Sequence, residues 1–165
     1  MPTIKEIKKY GSEFGFTQAV TDLGFMLGPS GYWFYRKRAE FIDFVDIWRK
    51  SSGEWIQISM PVYVSEMIDG YDMSDFPEGF LSRLKNPSGT FLDEHEVSAS
   101  GVWKVGTRED AKRSFESASQ AVASHGEQWF RSINTREALY SSIEEQVKEG
   151  PAGLRLRKAL GINAR

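Results

Sequence analysis

The sequence predicts an α+β protein, with an antiparallel sheet of about three to five strands packed on one face by helices. Three observations carry this. Aromatic and β-branched segments cluster between Tyr32 and Val64, segments with a single apolar stripe at helical spacing lie on either side, and the two kinds do not alternate along the chain. At 165 residues the chain has the size of one domain, so a single domain over 1–165 is expected, ending in a basic segment over 150–165.

The first helix is expected after Ser12, where Phe16, Ala19, Val20 and Leu23 fall on one face and Gly24 allows a left-handed stop. The Gly28-Pro29-Ser30-Gly31 turn leads into Tyr32-Trp33-Phe34-Tyr35-Arg36-Lys37, whose four consecutive aromatics fit a pleated strand and crowd a helix. Phe41 to Arg49 reads as a second strand, although Asp43 and Asp46 break its alternation and leave open a bulge or two partly covered faces. From Trp55 to Val64 the period of two is clean. Ile56, Ile58, Met60, Val62 and Val64 form an aliphatic face, and their neighbours form a wet one. Pro61 cannot donate to a ladder, so this strand is expected to lie at an edge or to leave its pairing there. Short turns make the three strands a meander.

Beyond Ser65 the chain is rich in turns. Asp75 as a cap, Pro77 and Glu78 announce a short helix carrying Phe80, Leu81 and Leu84, ended by Asn86-Pro87-Ser88-Gly89. Phe91 to Val105 suggests one or two strands broken around Ser100-Gly101. Thr107, with Asp110 three residues on, starts a long helix. Ala111, Phe115, Ala118, Val122, His125 and Trp129 make its buried stripe, and Gly126 marks a kink or end. Thr135 caps a further helix through Ala138, Leu139, Ile143 and Val147, stopped by Gly150-Pro151. The expected core includes Phe16, Val20, Leu23, Ile56, Ile58, Met60, Val62, Phe115, Val122 and Trp129.

Composition limits the functions open to the chain. The absence of cysteine excludes disulfides and thiolate metal sites, and with no signal-like N-terminus or apolar run of ~20 residues a cytoplasmic protein is expected. The net charge of −2 gives no long-range attraction to nucleic acid or anionic membrane. The charges are nevertheless segregated. Between Val64 and Val97 eight acids face two bases, while only bases follow Gly150.

Catalytic patterns are sparse. Asp93-Glu94-His95-Glu96 places a histidine among carboxylates, so His95, Glu94 and Glu96 are the candidates for acid/base or metal-assisted chemistry. A complete metal site is not expected, because a catalytic zinc takes three protein ligands and the other histidine, His125, sits on an apolar stripe. No Gly-x-Ser-x-Gly elbow and no Rossmann or Walker glycine spacing appears, so no cofactor is expected. The run from Tyr32 to Arg38 has residue types that stack single-stranded nucleic acid, but the acids at Glu40, Asp43 and Asp46 argue against phosphate. An unidentified protein partner is the expectation instead. Asp69, Tyr71, Asp72, Asp75 and Phe76 are its candidate contacts, since about 25 residues between Ser65 and Thr90 exceed what joining two strands requires and interleave acids with apolar groups.

Leu23-Gly24-Phe25, the following turn, Trp33-Phe34-Tyr35-Arg36-Lys37, Phe41-Ile42-Asp43-Phe44-Val45, Trp103 and Trp129-Phe130 together resemble a bacterial domain-of-unknown-function family that opens with a helix, Leu-Gly-Phe and a Phe-Tyr-Arg strand. The resemblance spans roughly 12–146 and departs at Trp48-Arg49-Lys50, where glutamine is frequent in that pattern. It implies a small cytoplasmic bacterial protein and, by analogy, an immunity-like role in neutralising a toxin. No catalytic residue follows from it.

Overall fold

The computed structural model of the protein describes residues 1–68 and 70–162. Two helices, α1 (Ile4–Glu13) and α2 (Phe16–Asp22), precede five strands: β1 (Met26–Leu27), β2 (Trp33–Arg38), β3 (Phe41–Arg49), β4 (Trp55–Ser59) and β5 (Val62–Val64). A connection with three 3-10 turns leads to β6 (Phe91–Leu92), β7 (Val97–Ser98) and β8 (Trp103–Lys104). Helices complete the chain: α3 (Arg108–Ala121), a π-helical turn at Val122–Gly126, α4 (Glu127–Ser132), α5 (Arg136–Ser142), α6 (Glu145–Glu149) and α7 (Pro151–Leu160). Among the described residues no helix is long and apolar enough to cross a membrane.

Helices and an antiparallel sheet are both present, as expected, but the sheet has eight strands rather than three to five, in the order β1-β2-β3-β4-β6-β7, with β5 also on β3 and β8 also on β4. The stretch Phe91 to Val105, where one or two strands were expected, holds three, β6, β7 and β8, and these and β1 have two residues each, too few for a period of two to show in the sequence. At Pro61 the ladder is interrupted and then resumes. Asp46 faces Ser59 and Asp43 faces Val62 in one continuous register. Between these pairs the Phe44 N–H donates to the Pro61 carbonyl (3.0 Å), and the Met60 N–H turns to Thr90 (3.2 Å).

The helical side of the sheet matches the pattern most closely. Ile56, Ile58, Met60, Val62 and Val64 all enter one core with Phe34, Phe41, Val45 and Ile47. Phe16 of α2 and Phe115 of α3 meet there with ring centroids 5.3 Å apart, and Tyr32 packs against both. Local chemistry sets the helix starts. Thr3 and Glu6 form a reciprocal capping box on α1, and the Thr107 and Thr135 hydroxyls accept from Asp110 (3.1 Å) and Ala138 (3.0 Å). Gly15, at φ 84°, makes the break between α1 and α2 in a conformation that glycine adopts without strain. The N-terminal helix is therefore two short ones, the first beginning at Ile4, eight residues before Ser12.

Four expectations change. The helix expected from Thr135 to Gly150 is broken at Ile143-Glu144, both non-helical, into α5 and α6. The long helix continues past Gly126, but through the π-helical turn, whose extra residue rotates everything after it by about 100°. Phe130 consequently fills the core, and Trp129 is half-buried with its indole N–H donating to the Met60 carbonyl (2.9 Å). Leu23 is likewise only partly buried. The short helix after Asp75 is replaced by 3-10 turns at Met73–Asp75 and Phe80–Arg83, the first capped by Asp72 rather than Asp75. Gly79, in the left-handed conformation at φ 71°, separates the two.

Candidate binding surface on the second face of the sheet

Alternation along β3 sends Ile42, Phe44, Asp46 and Trp48 to the face away from the helices. Their cross-strand neighbours there are Trp33 and Tyr35 of β2 and Tyr63, Ser59 and Gln57 of β4 and β5. This face was expected to be wet. Half of it is not.

The half around Phe44 is sealed by the 65–90 connection. Trp33, Ile42, Phe44, Tyr63, Phe80 and Leu84 form a second buried cluster, with Tyr71, Met73, Phe76 and Leu81 packed on it. Phe80 stacks on Phe44 (5.3 Å, 11°), Phe76 meets Tyr35 edge-on (4.9 Å), and Tyr71 packs on Phe80 (5.2 Å) while its hydroxyl donates to the Glu78 carbonyl. The connection is long because it is a cover. Phe76 and Tyr71 thus serve an internal surface, and the carboxylates remain outside. Asp72 caps its 3-10 turn through Ser74 (2.9 Å), which holds its carboxyl below the usual range, and Asp75 is exposed. Asp69 lies outside the described residues.

The half around Trp48 is open. Trp48 and Trp55 keep 38% and 37% of their surface exposed, and Phe91 of β6 meets Trp48 edge-on at 6.4 Å. Gln57, opposite Trp48, accepts from Lys50 (3.3 Å). Trp48 and Trp55 lie on adjacent strands, a diagonal step apart, so both rings stand on a surface that the sheet holds rigid.

Asp46 and Ser59 face each other on the seam between the halves. Both are buried. The Asp46 carboxylate accepts from the Trp48 indole N–H, and no cation pairs with it among the described residues. Burial pushes its pKa up to about 7, with the Trp48 hydrogen bond opposing part of that rise. Among the described residues the Ser59 hydroxyl has no partner. The helical face handles its buried acid differently. Asp43 receives Arg36 through Nε and Nη2 (3.1 and 2.9 Å) and Arg38 through Nε and Nη2 (both 3.0 Å). Arg36 also meets Glu127 (2.9 Å) and the Leu23 carbonyl (3.0 Å) and lies over the Phe25 ring (4.2 Å).

The other candidates are dispersed. Asp93 to Glu96 form the exposed turn of the β6–β7 hairpin, where His95 and Glu94 approach no closer than 3.9 Å and are largely solvated. Glu96 contributes its carbonyl to the turn, accepting from Asp93 (2.9 Å). His125 reaches this turn through the backbone, its Nε2 donating to the Asp93 carbonyl (2.7 Å). Among the described residues no group of three or more His, Asp or Glu side chains is placed to hold a metal ion. The open tryptophans carried no distinguishing signal in the sequence, because Trp48 and the buried Phe44 share one face of one strand. No protein-family model matches the chain, and no curated protein or solved structure shows a significant match to it.

Proposed function

We propose that the protein is a non-catalytic protein-binding domain whose contact surface is the open half of the second sheet face. One observation carries this. The aromatic surface of that face is sealed by the chain's own connection around Phe44, yet Trp48 and Trp55 are left more than a third exposed. Tryptophan is enriched among residues that dominate binding energy, and rings fixed on paired strands lose little freedom when a partner covers them. Exposed Asp72, Asp75 and Glu78, on the connection that covers the other half of the face, supply charge without anchoring, which suits long-range steering of a basic partner. An immunity-like inhibitor of a toxin would be one instance of this class.

The test is capture from a native lysate by wild-type protein, by a Trp48→Ala/Trp55→Ala variant and by Asp72→Asn/Asp75→Asn. A stoichiometric partner should be lost with the tryptophans, and should associate more slowly and with weaker salt dependence when the aspartates are neutralised. Recovery that is indifferent to the tryptophans, or no partner for the wild-type protein at any salt concentration, overturns the proposal.

A further inference from the structure

A cavity of about 560 Å³ lies between the C-terminal helix α7 and the start and end of the 65–90 connection. Its walls are apolar: Met67, Pro87, Val147, Leu156 and Ala159, with the Tyr63 ring at one side. The Tyr63 hydroxyl does not face a ligand unspent, since it donates to the Lys85 carbonyl (2.6 Å) and accepts from the Lys85 N–H (3.0 Å). The size and lining are those of a small-molecule site, which combines apolar walls with a few placed polar groups.

The charges around it are unequal. Lys85, Arg155 and Lys158 are exposed at its edge, against one carboxylate, Glu66. Glu66 is already committed. Its Oε1 accepts from Arg136 (3.0 Å), which holds its pKa low, and the same arginine takes Glu40 (2.9 Å) and the Ala159 carbonyl (2.9 Å). Neither Lys85 nor Lys158 has a carboxylate within 4.0 Å among the described residues. An apolar groove is therefore left with two cations at its mouth, Lys85 and Lys158, that no carboxylate among the described residues neutralises.

We infer that this groove binds an amphiphilic monoanion, an unbranched alkanoate whose chain lies on Met67, Val147 and Leu156 and whose carboxylate meets Lys85 and Lys158. A chain without charge gains only the walls, and an inorganic anion gains only the exposed lysines, whose attraction is weak in water and screened by salt. An alkyl cation meets repulsion. The alkanoate alone uses both features. This site is separate from the tryptophan surface and does not depend on it.

The experiment titrates full-length protein with dodecanoate, below its micelle concentration, by calorimetry and by backbone amide shifts. Dodecanol, dodecylammonium, inorganic phosphate and bilayer vesicles of phosphatidylcholine with phosphatidylglycerol are titrated in parallel. Dodecanoate should bind one to one, shift amides at 63–67, 85–87 and 147–159, and lose at least ten-fold in affinity in Lys85→Gln/Lys158→Gln. Ala159→Phe, which fills the groove, should abolish binding. If that variant does not fold, the exposed lysine pair decides alone. No binding of dodecanoate by wild-type protein, equal binding of dodecanol or dodecylammonium, or unchanged affinity in the lysine variant overturns the inference. Binding to vesicles with none to dodecanoate also overturns it, by assigning the surface to a membrane headgroup.

Discussion

Asp43 and Asp46 stand three residues apart on β3, both buried, on opposite faces of one sheet, and their environments treat their charge in opposite ways. Asp43, beneath the helices, meets two guanidinium groups in four hydrogen bonds and belongs to a network that reaches Glu127 and the end of α2. Asp46, on the seam between the covered and open halves of the other face, has a tryptophan N–H and a facing hydroxyl but, among the described residues, no cation, so burial favours its neutral form. The comparison separates a face assembled around paired charges from one assembled around rings. It also shows that burial by itself does not say whether an acid is ionised; the neighbours contributed by adjacent strands do.

The largest effect should come from breaking the paired side. Asp43→Ala leaves Arg36 and Arg38 without their shared carboxylate in a buried corner, and removal of one partner from such a network costs about 3–5 kcal/mol. Urea denaturation at pH 7 would measure it, and a loss under about 1 kcal/mol would mean that solvent reaches the corner freely.

Next comes the unpaired side, where the effect depends on pH. Asp46 has a folded-state pKa of about 7, above the ordinary 3.8, so the folded protein holds this proton more tightly than the unfolded chain does. Its contribution to stability is complete below about pH 4 and is lost as pH rises to and beyond 7. Three pKa units correspond to about 4 kcal/mol. Asp46→Asn keeps an oxygen for the Trp48 N–H and cannot ionise, so it should be more stable than wild type at pH 8, with the advantage vanishing near pH 4. Chemical denaturation across that range measures the difference. An advantage that does not change with pH would remove the raised pKa from the comparison.

The smallest effect should lie on the open half. Trp55→Ala should alter stability by no more than about 1 kcal/mol, because an exposed ring contributes little to folding. A larger loss in a thermal melt would show that the exposed tryptophans serve the fold and not a partner, and would weaken the binding proposal directly.

Much of the helical face was legible in the sequence. The aliphatic alternation from Ile56 to Val64 is a local property, and every one of those side chains is buried on one side. Thr107 and Thr135 announced their helices because a cap acts over three residues. The start of α1 carries the same kind of signal in Thr3 and Glu6, but only Ile7 of that helix is a fully buried apolar side chain, so apolar spacing alone passes over it. Of the candidate site residues, Tyr71 and Phe76 were picked out by their chemistry and placed by the fold in an internal role.

What the sequence determined by itself is which residues share a face, since the periods of strand and helix follow from backbone geometry. It could not say what covers that face. Whether Phe44 is sealed and Trp48 open depends on where a connection twenty to forty residues away comes to rest, and the two side chains are equivalent in the period of β3. The same holds at Val122–Gly126, where a single extra residue in one turn exchanged Trp129 for Phe130 in the core. The state of Asp46 and the uncommitted lysines of the groove likewise depend on which charges come within a few ångströms. Those distances were decided only by tertiary structure, because Coulomb and desolvation energies depend on position in space and not on separation along the chain.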